Sequence, residues 1–194
     1  VTDSEVRKLH GYATLNPAGE VVAGSYGTWR LTYVAGSKGL AREGRIRIST
    51  DSDTDWGLPQ FHDPAGAEYM TLQAPKGTQA APMVQGWRSL LLTMKGRRLE
   101  PGEKLVLTYG DRSGGGLGSR AQTFLESKRY FSVAVDTEGD GRFVILPDPP
   151  YVSIVGGKAA KLVAIAPSQV VMGKPFRLLV KAEVVLRVLG GLRL

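Results

Sequence analysis

Thr28-Trp29-Arg30-Leu31-Thr32-Tyr33-Val34 decides the fold class. Trp29, Leu31 and Tyr33 fall on one side of an extended chain and Arg30 and Thr32 on the other, the period-two alternation of a strand with one buried face. Arg45-Ile46-Arg47-Ile48-Ser49 repeats the pattern. Working outward, further strands are expected over 68–73, 87–94, 105–109, 130–135, 142–146 and 151–155, all rich in β-branched, aromatic or leucine side chains.

Between these segments lie turn-forming clusters: AGSKG, DSDTDWGLPQ, APKGTQAAPM, EPGEK, GDRSGGGLGS, DTEGDG and LPDPP. No window reads as a clear amphipathic helix. Many short strands with turns between them predict an all-β, antiparallel β-sandwich, with a barrel as the structural rival. The texture changes near residue 157. Residues 158–182 read as two strands around an Ala-Pro-Ser link and a Gly-Lys-Pro turn, the opening of an immunoglobulin-like domain. The expected organisation is therefore a sandwich over 1–157 and the start of a second, partial immunoglobulin-like domain over 158–194. The apolar and basic stretch EVVLRVLGGLRL after residue 182 reads as truncated or altered sequence.

The 194 residues carry a formal net charge of +7. Residues 1–157 hold eighteen Lys and Arg against seventeen Asp and Glu, whereas 158–194 hold seven against Glu183 alone. The excess is C-terminal, and no basic stripe interleaved with aromatics marks a nucleic-acid groove, so nucleic acid is not an expected partner. No apolar run reaches the roughly 20 residues of a membrane-spanning helix, and the first residues lack the apolar stretch of a signal peptide. A cytoplasmic location is the mild expectation, and because the chain starts at Val1 a removed leader stays open. Zero cysteines exclude disulfides and thiolate chemistry.

Catalytic signatures are sparse. His10 and His62 are the only histidines, with no H-x-H or H-E-x-x-H, and no serine stands in a G-x-S-x-G elbow. Asp136-Thr-Glu138-Gly-Asp140-Gly141 matches the first half of a calcium loop, which makes Asp136, Glu138 and Asp140 the candidate metal ligands; Pro147 stands where that loop needs its bidentate glutamate. The alternative for this stretch is a tight connection between two strands. Gly110 to Arg120 reads as an Ω-like loop rather than a phosphate cradle, since it fits neither phosphate-binding pattern. Trp29 and Trp87 lie in expected strands and belong to the core, leaving Trp56 as the candidate exposed aromatic.

The stretches AGSYGTWRLTY, DWGLPQFHDPAGAEYMTL, LEPGEKLVLTYGDRSGGGLGSRAQTF and LPDPPYVSIVGG together resemble the N-terminal region of an uncharacterised bacterial family. In that family a β-rich part precedes a region similar to metal-dependent hydrolases of the polymerase-and-histidinol-phosphatase type. The resemblance spans roughly residues 11–183. It implies that the metal ligands of such a hydrolase lie outside this chain, so no catalytic residue is carried over.

Three expectations follow. The first is a non-catalytic accessory or docking domain, without cofactor, whose partners are the downstream domains of a larger hydrolase or a second copy paired through the C-terminal strands. The second is a carbohydrate- or small-ligand-binding module built on Trp56, His62, Arg112 and Arg120. In the third, loops 51–63 and 110–122 pack on each other structurally, with Arg112 or Arg120 pairing Asp53 or Asp55.

Overall fold

The computed structural model describes residues 2–50, 53–86 and 89–183. In chain order the elements are α1 (Asp3–His10), β1 (Tyr12–Asn16), β2 (Gly19–Val22), β3 (Tyr26–Gly27), β4 (Trp29–Val34), β5 (Arg45–Ser49), β6 (Met70–Gln73), β7 (Thr78–Gln85) and β8 (Ser89–Gly96). There follow β9 (Lys104–Tyr109), β10 (Ser119–Arg120), β11 (Glu126–Tyr130), β12 (Ser132–Asp136), β13 (Val144–Ile145), β14 (Tyr151–Val155), β15 (Lys161–Ile165) and β16 (Leu179–Glu183).

Two antiparallel sheets, β1-β4-β9-β6 and β13-β12-β5-β8-β7, form the sandwich. The alternation read in the sequence is the alternation of burial: Trp29, Leu31 and Tyr33 of β4 and Leu105, Leu107 and Tyr109 of β9 point inward from one sheet. Ile46 and Ile48 of β5 and Leu90, Leu92 and Met94 of β8 meet them from the other, in one continuous core. Burial of such a side chain stabilises by roughly 1.5–3 kcal/mol. The architecture is an all-β sandwich, not a barrel.

Several elements depart from the sequence reading. α1 is a helix that the search for amphipathic windows passes over, because it is only 8 residues long and is held by a capping box instead of a broad apolar face. Thr2 Oγ1 accepts the Glu5 amide while the Glu5 carboxylate accepts the Thr2 amide. APKGTQAAPM, read as a turn, contributes most of β7; Pro82 is tolerated because β7 is an edge strand of its sheet. The expected strand 130–135 is two strands in two sheets, with the chain crossing at Phe131. Its first part, β11, joins β14 and β2 in a third sheet, in which β14 and β2 run parallel. Trp87 lies outside the described residues.

Beyond residue 157 the two expected strands are present. β15 and β16 pair antiparallel from Lys161↔Glu183 to Ile165↔Leu179 and form a two-stranded sheet of their own. From 158 to 183 only Val163 and Glu183 are half-buried and the rest are exposed. The altered stretch expected after 183 lies outside the described residues.

Candidate functional site

The two stretches that carry most of the family resemblance meet in space. Asp55-Trp56-Gly57, in the loop after β5, packs against Ser119 to Thr123 around β10. The Gly57 amide donates to the Arg120 carbonyl at 2.9 Å, Thr54 Oγ1 to Gln122 Oε1 at 3.1 Å, and the Asp55 carboxylate accepts the Thr123 amide and hydroxyl at 2.8 and 2.7 Å. Arg120 closes the junction, with one guanidinium nitrogen 3.0 Å from the Asp55 carbonyl and another 3.6 Å from its carboxylate. The pairing of Arg120 with Asp55 is one of those expected of interlocking loops, whereas Arg112 bonds the Tyr26 carbonyl instead.

Glu68 sits at the centre of this junction. Its carboxylate accepts Ser119 Oγ at 2.6 Å and the Arg120 amide at 3.0 Å, and Ser119 Oγ in turn accepts Trp56 Nε1 at 3.1 Å. Burial pushes the Glu68 carboxyl above its ordinary range, against the lowering effect of Ser119 and Arg120. Gly57 is required here, because a Cβ at this position would fall inside the Glu68 carboxyl group. The Ser119–Glu68 pair resembles a nucleophile and its base, but Ser119 is 2% exposed and its hydroxyl is engaged on both sides. Glu68 escaped the sequence reading because an isolated glutamate at a strand edge carries no motif.

Trp56 corrects the sequence reading most sharply. It is 6% exposed, with its ring edge-on to Trp29 and Phe131 at 4.8 and 5.6 Å between centroids, and it offers no stacking face to a sugar. His62 is exposed on a turn organised by Gln60, whose Oε1 accepts the His62 and Asp63 amides. Arg112 donates to the Tyr26 carbonyl at 3.0 Å. Trp56 and Arg120 both serve the junction, Arg112 is bonded to the β3 backbone and His62 stands on a separate exposed turn, so the four do not converge on one cleft. The glycines of the 110–118 loop likewise have a packing reason: a Cβ at Gly114 would strike the Pro64 backbone and one at Gly116 the Gly66 carbonyl.

The candidate calcium loop is also a structural turn. Asp136 is fully buried and turned inward; its Oδ1 accepts the Gly139 and Asp140 amides at 2.8 and 3.1 Å, and its Oδ2 accepts the Gly141 amide at 3.0 Å. Arg45 completes its shell at 2.6 Å. Burial alone would raise its pKa, but the Gly141, Arg45 and Gly139 hydrogen bonds outweigh that and hold the carboxyl below its usual range. Asp140 instead accepts the Arg142 amide at 2.9 Å. No group of three His, Asp or Glu side chains suited to a metal occurs among the described residues. The stretch joins β12 to β13, the strand connection that stood as its alternative.

One cavity adjoins the junction. It is small, about 50 Å³, and lies between Ile48, Trp56, Val84, Leu90, Tyr109 and Phe131, with Arg129 at its wall. The Arg129 guanidinium lies 5.5 Å from the Trp56 ring centre and 4.9 Å from that of Phe131. Burial raises the Tyr109 phenol above its ordinary pKa.

No family model matches the chain, and no curated protein matches it. Among solved structures it is similar to the crystal structure of the seventh ScaB type I cohesin from Pseudobacteroides cellulosolvens, at 6% identity and a TM-score of 0.40, over 77% of this chain and 94% of that one.

Proposed function

We propose that this chain is a non-catalytic accessory module that docks to other polypeptide, foremost the downstream domains of a larger hydrolase. The exposed hairpin β15–β16 carries this reading. Met172 is 98% exposed, Leu162 and Val171 70%, and Leu179 65%, a concentration of apolar surface that a finished monomer rarely leaves in water. Trp56, Arg112, Arg120 and Asp136, candidates for chemistry in the sequence, are meanwhile committed to holding loops together. Assay of the chain against phosphoesters and glycosides with added divalent metals tests the non-catalytic part. No turnover is expected, and robust turnover abolished by a substitution within this chain would sink the reading.

The second reading, a small-ligand-binding module, is favoured only by the cavity beside Trp56, whose apolar and aromatic walls with Arg129 at one side give the mixed lining of a ligand site. A thermal-shift panel of monosaccharides and small aromatic acids checks it. A rise in Tm that Leu90→Phe abolishes would support it.

A further inference from the structure

The register of β15 and β16 sorts their side chains into two unlike faces. Leu162 lies opposite Ala182 and Ala164 opposite Val180, so one face is wholly apolar. The other carries Lys161 opposite Glu183, Val163 opposite Lys181 and Ile165 opposite Leu179, with Glu183 3.8 Å from Lys161 and 3.1 Å from Lys181, so it mixes ion pairs with apolar side chains. A wholly apolar face backed by a partly charged one is the pattern of a sheet that is covered on one side. Among the described residues nothing covers the apolar face and no strand pairs with either outer edge.

The charge of the hairpin narrows what pairs with it. Lys158, Lys161, Lys174, Arg177 and Lys181 stand against Glu183 alone between 158 and 183, all five cations are exposed, and Lys161 and Lys181 lie on the face opposite the apolar one. A second copy would bring the same five cations against themselves. A membrane would leave the amides and carbonyls of both strand edges unpaired. Resting on the docking reading above, we infer that an outer edge of β15–β16 receives a β-strand of another polypeptide segment whose apolar residues alternate with carboxylates. Backbone pairing at that edge, apolar contact on the side of Leu162 and Val180, and carboxylates on the side of Lys161 and Lys181 would then hold it together.

Synthetic twelve-residue peptides test this on the full chain, one alternating valine with glutamate and one alternating valine with lysine, each labelled for fluorescence anisotropy. The acidic peptide is expected to bind at least tenfold tighter, to weaken as salt rises, and to lose at least tenfold in affinity against the double variant Leu162→Asp/Val180→Asp. Equal binding of the two peptides, still sensitive to that variant, would overturn the carboxylate preference and leave docking intact. Absence of peptide binding, or binding indifferent to Leu162 and Val180, would overturn both. Vesicles of phosphatidylcholine with phosphatidylserine form the last arm: variant-sensitive capture of the chain on them without peptide binding would make the face a membrane contact and overturn the inference.

Discussion

Replacing Trp56 with alanine is expected to cost about 3–5 kcal/mol of stability, because it opens a void beneath Trp29 and Phe131 and strips Ser119 of a donor. Urea unfolding followed by circular dichroism measures it; a loss under about 0.5 kcal/mol would mean an exposed indole. His10 predicts a pH dependence. Buried at the end of α1 beside Thr137, it is held below its ordinary pKa first by desolvation and then by Lys38, with Glu138 opposing. Its folded pKa lies below the unfolded value of 6.5, so the unfolded chain binds more protons in the interval between. Its contribution is present above pH 6.5 and lost as pH falls through the folded pKa. Glu68, raised from 4.5, works in the opposite direction, gaining stability as pH falls toward 4.5. Thermal melts between pH 7.5 and 5.5 should therefore fall in Tm, and His10→Gln should flatten the fall.

At the scale of elements, the β12–β13 connection depends on one carboxylate. Asp136→Ala leaves the Gly139, Asp140 and Gly141 amides and the Arg45 guanidinium without their shared acceptor, an expected loss of about 3 kcal/mol. Calcium at millimolar concentration is expected to leave the Tm of the parent chain unchanged; a rise of several degrees would restore the cation loop. The same loop shows where sequence reading succeeds and fails. β4, β5, β8 and β9 were legible because each buries alternate residues against one core, and that periodicity is written in the residue types. β7 was not, since it lies at the edge with nearly all its side chains toward solvent and has little burial to leave a pattern. In the junction, the stretches around Trp56 and Arg120 stand out in the sequence, and an Asp55–Arg120 pairing is one of those it allows. The place of Glu68 and the inward turn of Trp56 were not readable, because both depend on contacts between segments 51–63 residues apart.

For the molecule as a whole, the sandwich and the β15–β16 hairpin should respond to mutation differently. Leu31 and Leu107 are buried at a paired position of β4 and β9, and truncating either to alanine is expected to cost about 2–5 kcal/mol. Leu162→Asp and Val180→Asp alter only exposed side chains and should each shift stability by less than about 0.5 kcal/mol in the same urea titration. A large effect of either would place the hairpin within the cooperative unit of the sandwich.

The parallel pairing of β14 with β2 joins Val152–Val155 to Gly19–Val22 and closes most of the sandwich into a single long loop of chain. Such distant contacts are reached late and slowly in a conformational search, so millisecond-to-second refolding is the expected timescale. During synthesis the consequence is vectorial. A ribosome-bound chain ending before Tyr151 has β2 and β11 without their shared partner strand. Translation must deliver β14 clear of the exit tunnel before that third sheet can close, and residues that follow β14 are then already being made.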